Sequence, residues 1–157
     1  MCEWRGVRVH NVNYFSLSGG GHVEHDRPRS FNDTLAISTA PFFLNTILAA
    51  VFYTLAYFIY NGSTLFLSGA GKQFLLYGVF VAVWLGISTG SHAIPSTTDA
   101  KNVWREAKKR WRSSLLAFLS LPLVVFLYVA NLLQFLWFDV LYSLAIGFVV
   151  LLVFAGI

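Results

Sequence analysis

The side chains in this sequence best suited to coordination or acid–base chemistry are its four histidines and a few carboxylates. The most informative segment is Ser91-His92-Ala93-Ile94-Pro95-Ser96-Thr97-Thr98-Asp99-Ala100, where an imidazole and a carboxylate flank a proline. Both groups ligate zinc. Proline disfavours helix at the residue before it, so His92 and Asp99 are expected to bracket an irregular turn. Two structural readings stand beside the metal reading. Asp99 also suits the N-cap of a following helix, and His92 suits an interfacial position near lipid headgroups. A second group is His22-Val23-Glu24-His25, with His10 joining it if two strands pair. On a strand, His22 and His25 point to opposite faces, which works against joint ligation. So short a pattern also recurs often by chance.

The elements that must position these residues follow from composition. Of 157 residues, 57% are hydrophobic and 11% charged, against about 25% charged in ordinary soluble domains. Almost all of that charge lies in residues 1–34 and 95–113. Bilayer burial produces this segregation, because an unpaired charge in hydrocarbon costs several kcal/mol. The single Cys2 excludes an internal disulfide. The first 34 residues are polar, so no secretory signal is expected there.

A membrane helix needs about 20 apolar residues. Residues 35–60 and 74–94 qualify, and 114–157, whose one charged residue is Asp139, is long enough for two spans. A reversal near Asn131 to Asp139, beside Trp137, places these at 114–134 and 138–157. The expected fold class is therefore an all-α integral membrane protein of about four transmembrane helices. Its domains are an N-terminal segment, 1–34, and a membrane domain, 35–157. Residues 7–17 and 22–25 read as strands around the glycines at 19–21, giving a small β-hairpin before the first span. Those glycines are expected to be structural, because no helix start follows them to bind phosphate.

Residues 100–112 read as a basic helix, with Val103, Trp104, Ala107 and Trp111 at helical spacing and cationic residues on the other faces. That pattern suits either the headgroup layer or an extension of the third span. Lys101, Arg105, Lys108, Lys109, Arg110 and Arg112 lie there, and Arg5, Arg8, Arg27 and Arg29 lie near the N-terminus. The loop between the first two spans holds only Lys72. The positive-inside rule then places both termini in the cytoplasm of a cell-membrane protein. The formal charge of +4 is explained by that rule, with anionic lipid headgroups as a further partner and no nucleic acid implied. Within the spans, Asn45 follows Pro41 by one turn and suits an interhelical hydrogen bond. Gly86 and Gly90 form a G-x-x-x-G surface for close helix approach.

Three blocks in order resemble the membrane-embedded zincin peptidases related to the site-2 proteases, archaeal members especially. They are Cys2-x3-Gly6-Val7-x-Val9 running through Tyr14-Phe15 to Gly21-His22-Val23-Glu24-His25; Arg29-Ser30-Phe31 with Ile37-Ser38-x2-Pro41-Phe42-x2-Asn45; and Gly86-Ile87-Ser88 with His92-Ala93-x-Pro95-Ser96-x2-Asp99-Ala100. The resemblance covers residues 1 to about 105. In that family a helix bearing H-E-x-x-H supplies two zinc ligands and the general base, and a later acidic residue completes the site. Asp99 best matches the acidic position, with His92 as second choice. No H-E-x-x-H occurs in this sequence, and the chain starts just after the place where that motif is expected. Two origins fit: a longer protein with the catalytic helix upstream of Met1, or a truncated, inactive product.

The resemblance thus implies the downstream part of a zinc-dependent intramembrane peptidase acting on a membrane-anchored protein. No cofactor is expected for the chain as written, and zinc belongs to a longer form. The alternative is a non-catalytic membrane scaffold or partner subunit. A transporter is disfavoured, because the spans hold no charged relay.

Overall fold

The computed structural model describes residues 2, 6–13, 22–26, 28, 30–66 and 70–156. The glycine turn at 18–21 lies outside them, as do Arg5, Arg27, Arg29 and the side chains of His22 to His25. Two strands, β1 (Val9–Asn13) and β2 (His22–His25), pair antiparallel, with an irregularity between Val9 and Asn11. Among the described residues five α-helices follow: α1 (Phe31–Phe66), α2 (Ala70–Ser91), α3 (Thr97–Arg110), α4 (Leu115–Leu133) and α5 (Phe138–Ala155).

The chain is an all-α integral membrane protein with this small N-terminal hairpin. Four of its helices, all but α3, are long and apolar enough to cross a bilayer. Large side chains such as Phe43, Ile47, Phe80, Leu132 and Phe148 are exposed along them, as lipid-facing surfaces require. The 36 residues of α1 extend about 54 Å at 1.5 Å per residue, well beyond the roughly 30 Å hydrocarbon thickness. Pro41 in α1 and Pro122 in α4 each remove one helical hydrogen bond without ending the helix. A 3-10 turn at Gln134–Leu136 separates α4 from α5. Trp137 closes it in the left-handed region at φ 59°.

The helix starts obey local chemistry. The Ser30 hydroxyl donates to the Asp33 carboxylate and accepts from the Asp33 amide, 2.7 and 3.1 Å. Ser96 and Asp99 repeat that arrangement at 2.7 and 3.2 Å. In both, the serine hydroxyl satisfies one otherwise orphaned amide at a helix N-terminus, and the carboxylate three residues on accepts the hydroxyl proton.

The chain divides into two compact units, Met1–Ala40 with Ser96–Tyr128 and Pro41–Pro95 with Val129–Ile157. In the first, Phe31, Val103, Ala107, Ala117 and Val124 form the core, with Leu35 and Leu121 against it. The side of α3 that is buried is therefore Ala100, Val103 and Ala107, whereas Trp104 and Trp111 are exposed. In the second, Ala49, Tyr53 and Val150 are the core, joined by Ala50, Val83, Ile87 and Ile146.

Candidate functional site

The second unit is organised around one aromatic side chain. The Tyr53 ring of α1 lies where side chains at Gly86 of α2 and Gly147 of α5 would stand. A Cβ at either glycine would meet the ring at 3.1 Å, inside the usual 3.5–4.0 Å carbon contact. Gly90, one turn along from Gly86, faces Ser143, and a Cβ there would approach the Ser143 backbone Cα at 3.1 Å. The G-x-x-x-G surface of α2 is thus used along both of its residues, and it meets a matching Ser143-x-x-x-Gly147 surface on α5. Small residues on both helices allow the close approach that membrane packing exploits.

A hydrogen-bond chain runs through this contact. The Ser143 hydroxyl donates to the Gly86 carbonyl at 3.1 Å. Its only proton is then committed, so the Tyr53 hydroxyl, 3.0 Å away, donates to Ser143. Ser143 is fully buried. A second chain repeats the logic between α1 and α5: Thr46 donates to the Phe42 carbonyl, and Tyr142 donates to Thr46 at 2.8 Å. The Tyr57 hydroxyl donates to the Phe154 carbonyl at 2.8 Å. Tyr53, Tyr57, Tyr142 and Ser143 thus each join one helix to another.

The break after α2 is built the same way. The His92 and Ala93 amides bond three residues back, to Thr89 and Gly90, so α2 ends at Ser91, three residues short of the span expected to run to residue 94. Ala93, Ile94 and Pro95 are buried. Carbonyls freed by the break accept from two asparagines: Asn45 of α1 donates to His92 O at 2.8 Å, and Asn131 of α4 donates to Pro95 O at 2.8 Å. Asn45, whose position suits a bond to another helix, donates instead to the turn just past α2. Thr89 and Ser91 return their hydroxyl protons to Leu85 and Ile87.

His92 is exposed, and its Nδ1 lies 2.7 Å from the Ser88 carbonyl. A carbonyl only accepts, so in the neutral ring Nδ1 carries the proton and Nε2 keeps its lone pair. Asp99 lies in the first unit, where its carboxylate accepts from Ser96 and its amide donates back. The N-cap of α3 is Ser96; the helix starts at Thr97, so Asp99 occupies its third position and supplies the amide that Ser96 caps. His10, the further histidine of the hairpin, pairs through Nε2 with Asp26 at 2.8 Å on an exposed surface. Among the described residues, no three His, Cys, Asp or Glu side chains gather at metal-binding distance.

The signals for Tyr53 and Ser143 are unequal in the sequence. Ser143-x-x-x-Gly147 carries the same small-residue spacing as Gly86-x-x-x-Gly90 and is visible there. The pairing of Tyr53 with both glycines is a tertiary fact, without any local signature. Comparison with protein-family models, with curated proteins and with solved structures gives no match for this chain.

Proposed function

We propose that this multi-pass membrane protein is non-catalytic and acts as a scaffold or partner subunit in the bilayer. The observation that carries the reading is the Tyr53–Ser143–Gly86 chain, in which buried polar groups are used up in holding α1, α2 and α5 together. A catalytic centre requires groups held ready for substrate, whereas these groups and the two asparagines at the break complete one another. The positive-inside pattern supports a cell-membrane location with both termini cytoplasmic.

A second reading is the zinc peptidase, in which Asp99, or His92 as second choice, supplies one ligand to a metal held mainly by groups from outside this chain. The specific observation in its favour is the orientation of His92: Nδ1 bound to Ser88 O is the arrangement that leaves Nε2 available to a metal. Without two further histidines and a general base, the metal-water mechanism lacks both ligands and a proton acceptor. The discriminating experiment reconstitutes the full chain in liposomes with zinc and a membrane-anchored reporter peptide. The scaffold reading expects no cleavage. Zinc-dependent cleavage that is lost in Asp99→Ala would overturn it.

A further inference from the structure

Four of the six basic residues between Lys101 and Arg112 share one face. Lys101, Arg105, Lys108 and Arg112 follow one another at intervals of four, three and four residues, which on an α-helical repeat places them within about 60° of one another. Arg112 lies in the turn just past the helix end. All four are exposed, and none of them has an acidic partner among the described residues. Arg105 bonds to the neutral Asn102 side chain. The carboxylates of α3, Asp99 and Glu106, fall on the opposite side, where Glu106 pairs with Lys109 at 3.0 Å.

A second stripe borders the first. Trp104 and Trp111, seven residues apart, lie about 70° around the helix from the cationic row, between it and the buried Ala100, Val103 and Ala107. Both indoles are exposed. The Arg112 guanidinium lies 4.8 Å over the Trp111 ring. The helix is held on its third side by the core it shares with Phe31, Ala117 and Val124. A cationic row, an adjoining indole row and a protein-anchored apolar row thus lie in order along α3 and the turn that follows it.

We propose that this face of α3 is a binding surface for the anionic lipid leaflet. Lys101, Arg105, Lys108 and Arg112 engage headgroup phosphates, and Trp104 and Trp111 enter the interface beside them. Indoles favour that depth, and each basic residue near an anionic surface strengthens binding by about fivefold. The inference goes beyond a topological role for these charges. Positive-inside topology depends on how many lysines and arginines a loop carries, whereas a binding face depends on where they point.

The test keeps charge constant and moves it. The quadruple variant K101N/N102K/R105E/E106R has the same net charge as the wild-type chain but takes two cations out of the row. Wild-type and variant full chains are reconstituted in nanodiscs of phosphatidylcholine with a minor fraction of phosphatidylglycerol. Lipid bound next to the protein is read with spin-labelled versions of each lipid. The wild-type chain is expected to enrich phosphatidylglycerol over phosphatidylcholine, with the preference weakening as salt is raised. In the variant, which also puts a carboxylate into the row, the preference should fall by about 25-fold or more. The control K109Q/R110Q, which loses two cations outside the row, should retain it. Equal preference in wild-type and rearranged chains, equal loss in both variants, or abolition of the preference by added inorganic phosphate would overturn the proposal. Circular dichroism of each variant identifies any loss of helix; in that case K101Q/K108Q replaces the quadruple variant, with the same outcomes deciding.

Discussion

Replacing Gly90 with alanine places a methyl group against the backbone of α5. The new Cβ would lie 2.7 Å from Ser143 Cβ and 3.1 Å from Ser143 Cα, and it would also press on the Ser143 hydroxyl. Carbon atoms settle at about 3.5–4.0 Å, so α5 must withdraw by roughly 0.5–1 Å. That displacement stretches Ser143 to Gly86 O, now 3.1 Å, and Tyr53 to Ser143, now 3.0 Å, past good hydrogen-bonding range. Overpacking costs about 1–3 kcal/mol, and a hydrogen bond between membrane helices contributes about 0.6 kcal/mol. The expected loss for Gly90→Ala is therefore about 2–4 kcal/mol, measured by reversible unfolding of the full chain in mixed detergent micelles. Ser143→Gly removes the Cβ and hydroxyl that the new methyl meets, at the cost of the same two hydrogen bonds. The double variant should therefore be more stable than the sum of the single effects implies, by about 1–2 kcal/mol. A neutral Gly90→Ala, or strictly additive effects, would refute the close approach of α2 and α5 at this point.

Tyr53 separates packing from hydrogen bonding. Tyr53→Phe keeps the ring between Gly86 and Gly147 and should lose only about 0.6–1.7 kcal/mol, whereas Tyr53→Ala should lose about 3–5 kcal/mol by opening a cavity; equal losses in the same unfolding assay would contradict the sandwich. Asn45→Ala and Asn131→Ala each orphan a carbonyl of the break, so alkylation of a cysteine at Ala93 should become faster in either variant, while unchanged rates would show that the asparagines do not hold it. Ser96→Ala removes the N-cap of α3 and should cost about 1 kcal/mol, seen as faster amide exchange in the first turn of α3 with the last turn unaffected.

The spans are legible in the sequence because hydrocarbon imposes one requirement on every lipid-facing side chain. Residues such as Phe43, Phe80 and Phe148 meet it without reference to a specific partner. Span ends are less legible. α2 stops at Ser91 because the His92 and Ala93 amides turn back on Thr89 and Gly90, a choice that depends on Asn45 and Asn131 arriving from other helices to accept the consequences. The helical repeat of α3 groups Val103, Trp104, Ala107 and Trp111, yet packing selects Ala100, Val103 and Ala107, whose small volumes admit Phe31, Ala117 and Val124. For Asp99 the deciding feature is local: Ser96, three residues earlier, caps the Asp99 amide and hands its hydroxyl proton to the Asp99 carboxylate. Gly86 and Gly90 announce close packing by themselves. That Tyr53 and Ser143 fill the space opposite them is fixed only when three helices meet.

The proposal that the described polar residues hold segments of the protein together and do not assemble a zinc centre is tested most directly by zinc stoichiometry. The full chain in nanodiscs is equilibrated with micromolar free zinc, separated from unbound metal and measured by elemental analysis, beside Asp99→Ala and His92→Ala. The account predicts zinc well below one atom per chain, with no difference among the three proteins. One tightly held zinc per wild-type chain, lost in either variant, would contradict it.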